Sequence, residues 1–132
     1  MDQLGQRLAA TRRALDTLAE VLGMPFSVVV RDAGIQRFEY SFEIAWKLLR
    51  AYLAVGEGIA CGSPKQCIRE ALKVGLLTVE EAERWLEMVD DRNLTSHTYI
   101  EAVAAGIFRK VPEYHRLMET LWGRVRARGG TA

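Results

Sequence analysis

Apolar residues recur at three-and-four spacing along nearly every long stretch of this chain, the period that keeps one face of an α-helix dry. Period-two alternation, the mark of a half-buried strand, is scarce, and only three prolines interrupt the sequence. A chain patterned this way buries its stripes by packing helix on helix. Its 132 residues can enclose a core without metal or disulfide staples. The expected fold is therefore all-α: an antiparallel four- to five-helix up-and-down bundle, one domain over residues 1–132, with short connections and no internal repeat.

The stripes locate the helices. A first helix from about Gln3 to Leu22 turns Leu4, Leu8, Leu15, Leu18 and Leu22 inward and Arg12, Arg13, Asp16 and Glu20 to water, before Gly23 and Pro25 stop it. A second begins between Ser27 and Gly34 and ends near Gly56. Its inner stripe is Ile35, Phe38, Phe42, Ala45, Leu49 and Tyr52, and its outer face carries Gln36, Tyr40, Glu43, Lys47 and Arg50. Residues 56–64 hold three of the eleven glycines and read as a loop. Ser63-Pro64 then offers an N-cap serine before a first-turn proline, so a short helix carrying Cys67, Ile68, Ala71 and Leu72 inward should run to Gly75. Thr78 with Glu81 forms a capping box for a fourth helix with Ala82, Trp85, Leu86 and Val89 on one face. The polar run from Asp90 to His97 breaks the pattern. A last helical region starts near Tyr99, kinks or breaks around Pro112 and continues through Tyr114, Leu117, Met118, Leu121, Trp122 and Val125, leaving residues 127–132 as a frayed tail.

Bulk properties exclude several classes. Hydrophobic residues are 49% and charged residues 27%, an ordinary balance for a globular chain. The net charge of +1 argues against a cationic coat for nucleic acid, although a small basic cleft needs no net charge. No apolar run approaches membrane-spanning length, and the charged N-terminus lacks the apolar core of a signal peptide. The two cysteines, Cys61 and Cys67, fit neither a zinc site nor a disulfide framework, so the expected compartment is a reducing cytoplasm.

One cluster stands apart in composition. Asp90-Asp91-Arg92-Asn93-Leu94-Thr95-Ser96-His97-Thr98-Tyr99 gathers a permanent cation, an imidazole and a phenol. Arginine offers a planar fork of donors suited to phosphate, and histidine exchanges protons near neutral pH. These are parts for phosphodiester chemistry without a metal, by proton transfer and charge stabilisation. The same residues can also cap carbonyls, pair with Asp90 or Asp91 and plug a bundle end, and spacing alone does not separate the two readings. His115, in an amphipathic stretch, reads as a surface histidine rather than a second base. Phe38, Phe42 and Trp46 read as core rather than a base-stacking platform. Glu39 and Glu43 stand at i,i+4, but no aspartate cluster accompanies them, so neither metal nor cofactor is expected. Tyr40 on the outer face of the second helix hints at a two-fold contact that would cover it.

The run from Arg92 to Tyr99 resembles the R-x(4)-H-x-Y signature of HEPN domains. The string Ile35-Gln-Arg-Phe-Glu-Tyr-Ser-Phe-Glu-Ile-Ala-Trp-Lys47 is similar to the second-helix motif of one HEPN branch, which carries two names: HepT-like toxin and nucleotidyltransferase substrate-binding protein. Gly62-Ser-Pro-Lys-Gln-Cys-Ile-Arg-Glu-Ala and Gly75-Leu-Leu resemble the same branch. The likeness runs from about Leu4 to Leu121, with no departure at the signature positions.

The resemblance implies a homodimeric helical bundle with two signatures facing each other across a cleft, acting as a metal-independent ribonuclease on RNA. It would make His97 the proton-transfer residue, Arg92 the stabiliser of the phosphate and Asn93 a supporting polar group. It also implies an MNT-type nucleotidyltransferase encoded nearby, the antitoxin of a toxin–antitoxin pair, which transfers AMP from ATP to Tyr99. The older name implies instead a non-catalytic subunit that holds substrate for that nucleotidyltransferase. A nucleotide-binding scaffold without turnover is the third reading. An intact Arg92, His97 and Tyr99 favours the first, and the near-neutral charge favours the second.

Overall fold

A computed structural model describes residues 2–129 of the chain. Among them the fold is all-helical, with five α-helices in chain order: α1 (Gln3–Leu22), α2 (Val28–Glu57), α3 (Pro64–Lys73), α4 (Val79–Asn93) and α5 (Glu101–Gly129), and a short 3-10 turn (Leu94–His97) between the last two. The helix α2 is the axis of the bundle. It packs on α1 and α5 along its length and also touches α3, α4 and the 3-10 turn.

Local chemistry sets the helix ends. Asp2 caps α1 by accepting from the Gly5 amide at 2.6 Å, and Ser27 caps α2 by accepting from the Val30 amide at 3.0 Å. At the other end of α2, Gly58 takes a left-handed conformation (φ 69°) while the Ile59 amide donates to the Leu53 carbonyl at 2.9 Å. Ser63 caps α3, with Pro64 in its first turn. The Thr78–Glu81 capping box closes in both directions: Glu81 N–H to Thr78 Oγ1 at 3.1 Å, and Thr78 N–H to Glu81 Oε1 at 2.8 Å.

The inward stripes meet in one apolar core, whose largest fully buried members are Trp85, Tyr114, Phe38 and Phe42. Phe38 stacks on Tyr114 with ring centroids 5.4 Å apart, and Phe42 lies tilted 6.1 Å from Trp85. A close approach of α2 to α5 depends on Gly34: a Cβ there would lie 2.7 Å from a Phe108 ring carbon. Among the described residues no helix is long and apolar enough to cross a membrane.

Several expectations need correction. The last helix does not break at Pro112. It runs continuously because Ala104, Ile107, Val111, Tyr114, Met118, Leu121 and Val125 form one buried stripe on both sides of the proline. Pro112 itself sits on the exposed face, away from that stripe. Of the tail expected over residues 127–132, residues 127–129 are helical and 130–132 lie outside the described residues. The break expected from Asp90 begins later, since α4 continues through Asn93 with Asp91 buried. Cys61 and Cys67 form a disulfide. The loop before Ser63 lies against the first turns of α3 and brings their Cα atoms to 5.3 Å, within bridging range. The cysteine pattern therefore lends no support to a reducing compartment.

Three polar residues expected at the surface are also engaged. Arg12 pairs with Glu119 at 2.8 and 2.5 Å and covers the Trp122 ring at 4.7 Å. His115 is half-buried between α1 and α5, with Nε2 donating to the Leu15 carbonyl at 3.1 Å. Tyr40, the basis of the expected two-fold contact, stays exposed on the outer face of α2, with its hydroxyl 2.5 Å from Thr17 Oγ1.

Candidate functional site

The signature residues gather where α4 ends, the 3-10 turn follows and α5 begins. This corner is held from both sides. Lys65 of α3 reaches Asp90 at 2.9 Å. On the other side the buried Asp91 accepts from Tyr114 OH at 2.5 Å and from Lys110 Nζ at 2.8 Å. Burial and the Asp91 carboxylate push the Tyr114 phenol well above the usual tyrosine range, so it stays a neutral donor.

Arg92 occupies the last turn of α4, half-buried. Its Nη2 donates to Glu43 Oε2 at 2.7 Å. Its Nε is buried without a partner among the described residues. The anchoring carboxylate is fixed in turn: Glu43 Oε1 accepts from Trp46 Nε1 at 3.2 Å and lies 3.7 Å from Lys47 Nζ. One turn earlier on α2, Glu39 Oε2 lies 2.7 Å from the Thr95 hydroxyl, which is also 2.7 Å from the Arg92 carbonyl. A hydroxyl has one proton, so Thr95 donates to one of these oxygens at a time. Glu39 and Glu43 thus fasten the turn and the arginine to α2. In sequence the pair reads only against a metal site. Arg92 lies 49 residues from Glu43 and Thr95 lies 56 residues from Glu39, so no local signal points to these contacts.

The other signature residues are open to solvent. Asn93 is exposed and makes no side-chain cap for the 3-10 turn. His97 ends that turn, exposed, with no hydrogen bond to its ring among the described residues. Its side-chain neighbour is Tyr99, edge-on at 6.0 Å between ring centroids. Tyr99 is 80% exposed. It forms one wall of a groove of about 340 Å³ with Thr95 and Thr98, against Arg31, Asp32, Ile35, Gln36 and Glu39 of α2. Arg31, which the sequence did not single out, is buried and paired with Glu101 and Asp32. The structure therefore brings Arg92, His97 and Tyr99 to one corner. The groove passes Tyr99 and the α2 carboxylates, and its wall includes neither Arg92 nor His97.

Comparison with known proteins gives this corner a context. A profile of the family described as nucleotidyltransferase substrate binding protein like matches residues 6–127. A Haemophilus influenzae protein described as probable ribonuclease HepT is 31% identical over 84 residues, which span 61% of this chain and 56% of that relative. The match thus covers little more than half of the relative's length. Among solved structures, a protein from Thermus thermophilus is 55% identical, with a TM-score of 0.85 over 88% of this chain and 98% of that one. A Haemophilus influenzae protein, described as having the fold of a substrate binding domain of a nucleotidyltransferase, is 24% identical. Its TM-score is 0.76 over 90% of this chain and 98% of that chain, a likeness of fold.

Proposed function

Because the chain belongs to the family of nucleotidyltransferase substrate-binding-like proteins, we propose that it is the RNA-cleaving member of a toxin–antitoxin pair. Arg92 and His97 carry the chemistry, Asn93 supports it and Tyr99 is the site of control. The observation that carries this reading is the state of Arg92. Glu43 holds the guanidinium at Nη2 while the side chain stays 35% exposed, so the rest of its planar fork of donors can meet an acceptor from outside the chain. A phosphodiester oxygen is a fitting acceptor. His97, exposed one turn on, takes the proton from a ribose 2′-hydroxyl as that oxygen attacks the adjacent phosphorus. The bond to the 5′-oxygen of the next nucleotide breaks, and that oxygen regains a proton. No step calls for a metal.

Control acts through Tyr99. Its phenol oxygen attacks the α-phosphorus of ATP held by the partner nucleotidyltransferase; pyrophosphate leaves and the phenolic proton is lost. The attached AMP sets a phosphodiester charge and a bulky nucleoside beside the site, with every catalytic side chain intact. The 80% exposure of Tyr99 suits this transfer. The working unit is a homodimer, in which the second copy supplies the contact that His97 lacks within one chain.

The second reading is a binding subunit that does no chemistry of its own. What favours it is that no third group among the described residues orients the His97 imidazole within one copy, as a general base ordinarily requires. Expression of the chain alone, then with the neighbouring nucleotidyltransferase, separates the two. The toxin reading expects growth arrest relieved by the partner, with a mass gain of one or more AMP units that Tyr99→Phe abolishes. Normal growth and an unmodified chain, with a partner active on other substrates, would establish the binding subunit instead.

A further inference from the structure

The groove beside Tyr99 differs in chemistry from the corner that holds Arg92. The cation in its wall, Arg31, is already engaged by Glu101 and Asp32. Two carboxylates, Asp32 and Glu39, line the same wall, so the groove is net acidic and repels phosphate. Unspent capacity remains there. Among the described residues Asp32 Oδ2 and Glu39 Oε1 accept no hydrogen bond, and the Gln36 amide has no partner. Asp32, Ile35, Gln36 and Glu39 follow helical spacing, so acceptor, apolar, amide and acceptor groups present on one face of α2. Across from them stands the exposed ring of Tyr99.

We propose that this groove binds a guanine base, read at its Watson–Crick edge by Gln36 with Asp32 or Glu39, against the ring of Tyr99. Guanine alone among the four RNA bases sets two adjacent N–H donors next to a carbonyl acceptor. A carboxylate has about four lone-pair sites. Asp32 or Glu39 therefore accepts the two donors on its free oxygen and on the remaining lone pair of the engaged one, and an amide NH₂ donates to the carbonyl. Adenine and cytosine each pair one donor with a ring acceptor that a carboxylate repels, and uracil has a single donor. The exposed tyrosine gives a stacking face that any base could use, so discrimination comes from α2 and part of the affinity from Tyr99. The volume of about 340 Å³ suits a base with part of its ribose. Glu39 joins groove and corner, because the Thr95 hydroxyl it meets also meets the Arg92 carbonyl. A base seated here would thus lie on the same strand as the phosphate at Arg92, and this last step alone rests on the RNA-cleaving reading.

The test titrates guanosine, adenosine, cytidine and uridine separately into the intact chain and follows the backbone amides of residues 32–39 by NMR. Guanosine should bind at least about tenfold more tightly than the others, as one bidentate base contact discriminates. Gln36→Ala, at an exposed position, should shrink that preference, and so should one of Asp32→Asn and Glu39→Gln, which identifies the carboxylate that reads the base. Tyr99→Leu should weaken all four nucleosides alike, by about tenfold or more. Equal affinities, no binding at millimolar nucleoside, or a guanosine preference untouched by Gln36→Ala would each overturn the proposal. The two readings fail separately. A chain that selects guanosine through Gln36 yet cuts no RNA keeps the pocket and loses the ribonuclease. A chain that cuts RNA but binds the four nucleosides equally keeps the ribonuclease and loses the pocket.

Discussion

Each end of α4 forms an arginine–glutamate pair with another helix, yet one end is closed and the other is not. At the start of α4, Glu81 closes the capping box with Thr78 and meets Arg124 of α5 through two bonds, 2.6 and 2.9 Å, while Arg124 also donates to the Leu76 carbonyl. At the far end Arg92 has a single bond to Glu43 and its Nε is buried without a partner among the described residues. Within the same set, neither the Asn93 nor the His97 side chain is held by a hydrogen bond. The start of α4 is thus fastened by α5, whereas its end leaves side-chain donors without partners among the described residues, which suits the proposed meeting with an outside ligand. An unmet donor alone does not mark a site, since Trp85 Nε1 in the core is also without a partner among them.

Substitutions at the open end should damage function and spare the fold. The largest effect belongs to His97→Ala, which should lower RNA cleavage by roughly two to four orders of magnitude. Its melting temperature should stay at the parent value, because the ring is exposed and no hydrogen bond ties it to the described residues. Cleavage by the parent should persist in EDTA. Single-turnover assays on the purified protein check both, and a His97→Ala chain that cuts as fast as the parent would remove His97 from the mechanism. Next comes Arg92→Lys. An ammonium has three donors on a single nitrogen, so it cannot span Glu43 and a phosphate as the planar guanidinium fork does. Cleavage should fall roughly ten- to a hundredfold, the worth of one hydrogen bond to a charged group. If Arg92→Lys cuts at the parental rate, the guanidinium fork has no role.

At the closed end the capping box was legible and the clasp from Arg124, 43 residues from Glu81, was not, and the reason is distance along the chain. The Thr78–Glu81 capping box and the Ser63-Pro64 start are written within a few residues, so local pattern suffices to read them. The inward stripes are periodic and survive in one dimension, which is why the helices fall close to where the spacing puts them. What holds the open end is not local. Arg92 meets Glu43 across 49 residues and Thr95 meets Glu39 across 56, so no single window contains either pair. Pro112 misled for a related reason: the local rule says break, and the shared core on both sides of the proline overrides it. The disulfide was hidden because a pair six residues apart reveals nothing until the loop is seen lying on α3.

Substitutions at the closed end should do the reverse. Thr78→Ala removes the acceptor for the Glu81 amide and should cost about 1 kcal/mol. For a chain of this length that lowers the melting temperature by roughly 3–6 °C. RNA cleavage per folded molecule should not change, since Thr78 lies at the opposite end of α4 from Arg92. A loss of cleavage without a loss of stability would erase the contrast between the two ends.

The smallest effect is a pH dependence at the same closed joint. The bidentate bond from Arg124 holds the Glu81 carboxyl below the usual carboxylate range, and the amide and hydroxyl of Thr78 add to it against the opposing pull of burial. A carboxyl lowered by folding binds its proton more weakly in the folded chain than in the unfolded one. Its contribution to stability is therefore complete above the ordinary carboxylate pKa and is lost as pH falls through the lowered folded value. Glu81→Gln keeps an acceptor for the Thr78 amide but cannot titrate. Its stability should lie below that of the parent at neutral pH by under about 1 kcal/mol, since Arg124 is partly exposed. The two stabilities should converge as the solution is acidified toward and below the folded value. Urea unfolding at a series of pH values measures the gap directly. A gap that stays constant from neutral to acid would mean that Glu81 acts at this joint through its hydrogen bonds alone, and that its charge against Arg124 adds nothing.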